Sequence, residues 1–141
     1  MILLDTNVIS ELWKVEPNPQ VFAWIDAQTV ETLYLSAVTV AELRFGLATM
    51  PGSKRRRIFQ DRLEEVVLPT FAERVLPFDL ATSHAYAGLM AKARSEGKAI
   101  SREDGYIAAT AIAGGLIVAT RDTSPFAAAG CKVINPWEPI G

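Results

Sequence analysis

Residues 1–10 read MILLDTNVIS: an apolar run from Ile2 to Leu4, then Asp5, Thr6 and Asn7, then apolar residues again. This spells a short buried strand that stops at a polar edge, with Thr6 to Trp13 as the helix that follows. The same grammar recurs along the chain. Leu33 to Ser36 is a strand and Val38 to Ala48 a helix; Arg74 to Phe78 is a strand and Leu80 to Ser95 a helix stopped by Gly97. Leu116 to Thr120 and Lys132 to Ile134 are the last strands. Between them lie a helix carrying Val21, Phe22, Trp24 and Ile25, a longer one from about Lys54 to Val67, and one from Ser101 to Ala113 ended by Gly114 and Gly115. Strands separated by helices predict an α/β layer fold with a mostly parallel sheet. Such sheets bind ligands beyond the carboxyl ends of their strands, which is where Asp5 sits.

Composition narrows the class. With 141 residues, residues 1–141 are expected to form a single domain, burying about 68–70% of the surface its unfolded chain would expose. The 14 basic and 16 acidic residues leave a net charge of −2, which is not the footprint of a strongly basic nucleic-acid binder. One basic run, Lys54, Arg55, Arg56 and Arg57, stands out and reads first as a solvated helix start. The single cysteine, Cys131, excludes an internal disulfide and suits a reducing cytosol. No apolar run is long enough to span a bilayer, and the opening residues lack the basic flank of a signal peptide. The expected location is cytoplasmic.

Four acids carry the chemistry. Each has a plain structural role open to it. Asp5 is placed to cap the helix after the first strand, and Asp122 to cap the turn through Thr123 and Ser124. Glu42 follows Thr39, and Asp104 follows Ser101, at the three-residue spacing of a capping box. Their surroundings argue for more. Asp104 opens a helix whose Ile107 to Ala113 stretch has Thr110 as its one polar member, so the helix is buried. Glu42 is flanked by Val38, Leu43 and Phe45. Acids gathered without bases repel one another, and an oxygen-ligated Mg²⁺ removes that cost. Four acids at one sheet edge therefore read as a metal site. The lone His84 and Cys131 cannot form a zinc site of the usual kind, no phosphate-binding glycine loop is present, and Trp13, Trp24 and Trp137 read as core residues.

The stretches "LLDTNVISEL", "LYLSAVTVAELRFGL", "RVLPFD", "EDGYIAATA", "IVATRDTSPF" and "VINPWE" together resemble the PIN-domain ribonucleases, and within them the VapC/FitB-type toxins of type II toxin–antitoxin pairs. The resemblance covers nearly the whole chain in order. It implies a three-layer α/β/α sandwich and a cluster of acids binding Mg²⁺ or Mn²⁺. Asp5, Glu42 and Asp104 match the first three acids of the family's set and Asp122 the fourth; Thr6 and Thr120 match hydroxyl positions beside the metal. Where many relatives carry an Asp before the Phe of "TSPF", this chain has Pro125, leaving Asp122 as the only acid there. The resemblance also implies a homodimer and a cognate antitoxin that blocks the site, with DNA bound only through that partner.

The reaction expected on this reading is hydrolysis of an RNA phosphodiester. Asp5, Asp104 and Asp122 would hold the ion, and Glu42 would either ligate a second ion or orient the nucleophile. Arg44, Arg55, Arg56, Arg57, Lys98, Arg102 and Arg121 are candidates for a basic rim that attracts the RNA. Two rivals stand beside it: a catalytically silent PIN-like module acting through its partner, and a phosphoryl-transfer enzyme on small molecules. Apolar stripes Tyr86/Leu89/Met90/Ala93 and Ile58/Phe59/Leu63 are candidates for an interface, with core packing the plainer fate of each.

Overall fold

The computed structural model describes residues 1–139. Five strands, β1 (Ile2–Leu4), β2 (Leu33–Ser36), β3 (Val75–Leu76), β4 (Ile117–Ala119) and β5 (Val133–Ile134), form one sheet in the order β3-β2-β1-β4-β5. Every neighbouring pair is parallel, so the sheet is wholly rather than mostly parallel. Strands β1 and β2 have the expected bounds, while β3, β4 and β5 are shorter than the stretches Arg74 to Phe78, Leu116 to Thr120 and Lys132 to Ile134 that announce them.

The side-chain period of two sorts the core into two halves. Ile2 and Leu4 of β1 face one apolar cluster; Leu3, between them, faces the other. On Ile2's side lie α1 (Thr6–Leu12), α2 (Pro19–Asp26) and α3 (Ala37–Ala48), contributing Val8, Val21, Trp24, Val40 and Leu43. On Leu3's side lie α6 (Leu80–Ser95), α7 (Arg102–Gly114) and α8 (Thr123–Ala128), contributing Leu89, Ile107, Ala108 and Phe126. The three-layer α/β/α sandwich is therefore present, with β1 buried on both faces.

Two details differ from the sequence reading, and one interface candidate resolves to its plainer fate. The helix expected over Lys54 to Val67 runs as α4 (Lys54–Arg62), a widened π segment (Leu63–Val67) and α5 (Leu68–Thr70). Pro69, which brings no N–H to the ladder, lies just past the widened turn. Helix α8, read as a mere turn, is real. The Tyr86/Leu89/Met90/Ala93 stripe is core: Leu89 and Ala93 are buried, and Tyr86 and Met90 pack on the same cluster. Gly105 allows this contact, since a Cβ there would lie 2.8 Å from Met90 Sδ and 3.1 Å from Tyr86 Cε2. Gly115 ends α7 in the left-handed region (φ 67°), which a glycine adopts without strain.

Candidate active site

The sheet order places the site. From β1 the chain builds outward through β2 to β3 on one side, while β4 and β5 lie on the other. The carboxyl ends of β1 and β4 thus form the crevice where open α/β sheets take ligands. Asp5 follows β1 and Thr120 follows β4, and the two meet there: Thr120 Oγ1 donates to Asp5 Oδ2 at 2.8 Å. Both residues are buried.

Asp5 is also a cap. Its Oδ1 accepts from Thr6 N at 2.8 Å, so the capping bond and the bond from Thr120 fall on different oxygens of one carboxylate. Glu42 is not a cap. Helix α3 begins at Ala37, with Ser36 as N-cap accepting from Thr39 N at 2.9 Å. This puts Glu42 in the second turn, where its Oε1 accepts from the Thr6 hydroxyl at 2.7 Å. Phe45, expected to enclose it, is 70% exposed. Ser101 caps α7 by accepting from Asp104 N at 3.1 Å, leaving the half-buried Asp104 carboxylate in the first turn. Asp122 stands at the N-cap of α8, but its side chain makes no capping bond. It is exposed, unlike the other three.

Asp5, Glu42, Asp104 and Asp122 line a single cleft of about 400 Å³ together with Thr6, Asn7, Lys14, Arg121 and Trp137. Among the described residues the four acids there are not paired with bases. Burial raises the Asp5 carboxyl to about 6, against the opposing hydrogen bonds from Thr120 and Thr6, and the charges of Asp104 and Glu42 push the same way as burial. Asp104 is raised as well, by burial first and then by Asp122 and Glu103, against a lowering hydrogen bond from Ser101.

Among the described residues no three Asp, Glu, His or Cys side chains are drawn close enough together to hold a metal ion as they stand; the carboxylates line an open cleft. The unpaired donors of the cleft are oxygens, the carboxylates of Asp5, Glu42, Asp104 and Asp122 with the Thr6 hydroxyl, while Glu11 is paired to Lys14 and the buried Thr120 acts through Asp5. Hard divalent cations take such ligands and keep several waters in an open site. A charge-starved, oxygen-lined cleft fits that group.

The seven rim candidates separate. Arg121 lines the cleft itself. Arg55 lines an adjoining apolar groove of about 290 Å³, which shares Thr6, Ser10, Lys14 and Glu42 with the cleft and is walled by Trp13, Leu47 and Phe59. Lys98 lines a depression shared with Asp104 and Asp122, and is ion-paired to Glu96 at 2.9 Å. Arg44 is held by Glu64 through two bonds of 2.8 and 3.0 Å. Arg56 and Arg57 line a separate basic hollow with Lys54, and Arg102 is exposed and lines neither the cleft nor the groove.

Sequence reasoning missed Asn7, Lys14 and Trp137. Asn7 Nδ2 donates to Thr120 Oγ1 at 3.2 Å and lies 3.4 Å from Asp5 Oδ2, while its Oδ1 accepts from Arg121 N at 3.3 Å. Its signal was its place in the polar break after β1. Trp24 is core as expected, but Trp13 and Trp137 are only partly buried and line the groove and the cleft. For Trp137 the usable signal was its position just beyond the carboxyl end of β5.

Comparison with known proteins agrees with this fold. The PIN domain family model matches residues 2–130. The chain is 71% identical over 139 residues to VapC ribonuclease Y4jK of Sinorhizobium fredii, covering 99% of each chain. It is 52% identical over 137 residues to Toxin FitB of Neisseria gonorrhoeae, covering 97% of this chain and 99% of that one. The solved structure of FitAB bound to an IR36 DNA fragment superposes with a TM-score of 0.96 at 48% identity, covering 100% of this chain and 99% of that one.

Proposed function

This chain belongs to the PIN-domain family, and from that premise we propose that it is a metal-dependent endoribonuclease acting as the toxin of a type II toxin–antitoxin pair. The observation that carries the reading is the meeting of Asp5, Glu42, Asp104 and Asp122 in one cleft with no ion-pair partner among the described residues. The similarity to a VapC ribonuclease and to Toxin FitB supports it.

Asp5, Asp104 and Asp122 would hold Mg²⁺ or Mn²⁺, with Glu42 holding a second ion or orienting the attacking water. A divalent cation there supplies positive charge to offset that of the phosphodiester and makes a neighbouring water more acidic. The protein's own groups do the positioning. Thr120 donates to Asp5 Oδ2 and Thr6 donates to Glu42 Oε1, so each carboxylate is held in orientation by a hydroxyl. Arg121 on the cleft wall and Arg55 in the adjoining groove bring cationic charge to an otherwise acidic pocket, whereas Lys14 is taken up by Glu11. That charge draws in the RNA backbone.

The apolar groove continues into the cleft through Thr6 and Glu42. A protein segment seated in it would cover the acids, which suits a cognate antitoxin. We assign residues 1–141 to one domain, working in the cytoplasm as a homodimer in complex with that antitoxin and meeting DNA only through it. No helix among the described residues is long and apolar enough to cross a membrane.

The test is incubation of the protein, purified without its partner, with defined RNAs in Mg²⁺ or Mn²⁺ and in EDTA. Cleavage with metal and none with EDTA is expected. RNA binding without cleavage in either metal would make the chain a silent binding module. Turnover of small phosphate esters alone would make it a phosphoryl-transfer enzyme.

A further inference from the structure

Arg121 is the cation nearest in sequence to the acids, lying between Thr120 and Asp122 on the cleft wall. An arginine beside four carboxylates should pair with one of them, since bidentate pairs of this kind are among the strongest polar contacts. It pairs with none; the ion pairs among the described residues are Lys14–Glu11, Arg44–Glu64 and Lys98–Glu96. Its guanidinium lies instead over the ring of Trp137, with the charge centre 5.5 Å from the ring centroid. Its backbone is pinned too, because Arg121 N donates to Asn7 Oδ1 at 3.3 Å.

Two consequences follow from stacking rather than pairing. The acids keep their charge for a cation, and the guanidinium keeps its fork of N–H donors for a ligand. A guanidinium held over an indole face is also restricted in its motion, so less freedom is lost when it binds. The fork matches the oxygens of a phosphate in geometry and charge. Lys14 and Lys98 are occupied by carboxylates, and Arg55, whose charge centre lies 5.3 Å from the Phe59 ring centroid, stands in the adjoining groove and not on the wall of the cleft.

We infer that Arg121, held over the face of Trp137 and at its backbone by Asn7, is a preorganised clamp for a phosphate of the RNA strand adjoining the scissile bond. The inference rests on the ribonuclease reading above and deepens it by naming a substrate contact. Trp137 and Asn7 are positioning residues here, acting through Arg121.

The experiment measures binding of a fluorescein-labelled single-stranded RNA in EDTA, where no cleavage occurs, and cleavage of the same RNA in Mg²⁺ or Mn²⁺. Arg121→Ala should weaken binding in EDTA by about 10–100-fold, the loss of one charge-assisted bidentate contact. It should also make the salt dependence shallower by about 0.7 in log–log slope. Arg121→Lys, which keeps the charge without the fork, should restore the slope but recover only part of the affinity. Trp137→Phe keeps an aromatic face and should stay near wild type, whereas Trp137→Ala should approach Arg121→Ala.

The decisive measurement is the double variant. If Trp137 acts through Arg121, the double variant binds no more weakly than Arg121→Ala alone; independent structural damage would add instead. Thermal melts identify any loss of folding in Trp137→Ala, and the Phe variant then carries the comparison. Unchanged affinity and slope in Arg121→Ala, with wild type still cleaving RNA, overturns the clamp and leaves the nuclease reading intact. So does a fully additive double variant. A wild-type protein that cleaves no RNA in either metal overturns the nuclease reading and the clamp with it.

Discussion

Asp5 makes two kinds of contact through two oxygens: Oδ1 caps α1, and Oδ2 accepts from the Thr120 hydroxyl, while the residue as a whole lines the cleft. This predicts how its substitution behaves. Asp5→Asn keeps an acceptor for the cap, so the N-cap loss of typically ~1 kcal/mol seen with Ala is avoided. The variant removes the charge that burial and two neighbouring acids oppose. Without metal, the Asp5→Asn variant is expected to be at least as stable as wild type by thermal melt, yet inactive on RNA. A large loss of apo stability with full cleavage would reduce Asp5 to a cap. The pH dependence has a definite sign. The folded carboxyl is raised from its ordinary 3.8 to about 6, so between those values the folded state holds a proton that the unfolded state releases. Stability of the metal-free protein should then fall as pH rises from about 4 to 6, a contribution of roughly 3 kcal/mol. Urea unfolding in EDTA across that range reads it, and Asp5→Asn should flatten that part of the curve. Cys131 offers a second check. Burial pushes its thiol to about 11, so alkylation at pH 8 should be slow in the native protein and fast after unfolding.

At the scale of elements, the helix pair α6–α7 sets where Asp104 stands. Gly105, next to it, lets Met90 and Tyr86 approach closer than a Cβ permits. Gly105→Ala should therefore destabilise the fold by about 1–3 kcal/mol, the usual cost of overpacking a tight contact. It should also lower metal affinity, because α7 carries Asp104 away from the cleft as it is pushed off α6. A calorimetric titration with Mn²⁺ beside a thermal melt measures both, and unchanged metal affinity would show that the helix yields elsewhere. The Met90 thioether is flexible, so part of the strain can be absorbed there. Helix α4 illustrates the opposite case. Its first turn carries Lys54, Arg55, Arg56 and Arg57, opposed to the helix dipole, and no acid. The run divides in space, Arg55 toward the groove and Arg56 and Arg57 toward a separate hollow. Arg55→Gln should make the salt dependence of RNA binding shallower by about 0.7, and Arg57→Gln should leave it unchanged.

Across the whole molecule, the four acids come from the end of β1, from α3 in one helical layer, and from α7 and the turn before α8 in the other. A cation held among them would tie both helical layers to the sheet edge. Binding confined to the folded state stabilises it by about 2.7 kcal/mol at one hundred times the dissociation constant. Mg²⁺ or Mn²⁺ should raise the melting temperature of wild type, and Asp5→Asn should lose most of that rise. No metal-dependent shift in wild type would count against the carboxylate cluster as a cation site.

Some of this was legible in residues 1–141 and some was not. Runs of apolar residues ending in polar ones gave the strands, their alternation with helical stretches gave the parallel layers, and the motifs "LDTN", "AELR", "EDGYIAA" and "TRD" marked the acids, because each signal lies within a few neighbouring residues. Capping of α3 by Ser36 instead of a Thr39–Glu42 box, the reality of α8, and the π segment depended on packing and hydrogen bonds that local spacing does not encode. The cleft belongs wholly to the tertiary structure. Asp5 and Thr120 are 115 positions apart and meet only because β4 pairs with β1 at the point where the sheet order reverses. Asn7 against Arg121 and Trp137 beneath its guanidinium are contacts of the same kind. Chain proximity determined the elements; strand pairing decided which charges share a cleft, and so which of them carry an uncompensated cost that a cation or a phosphate can relieve.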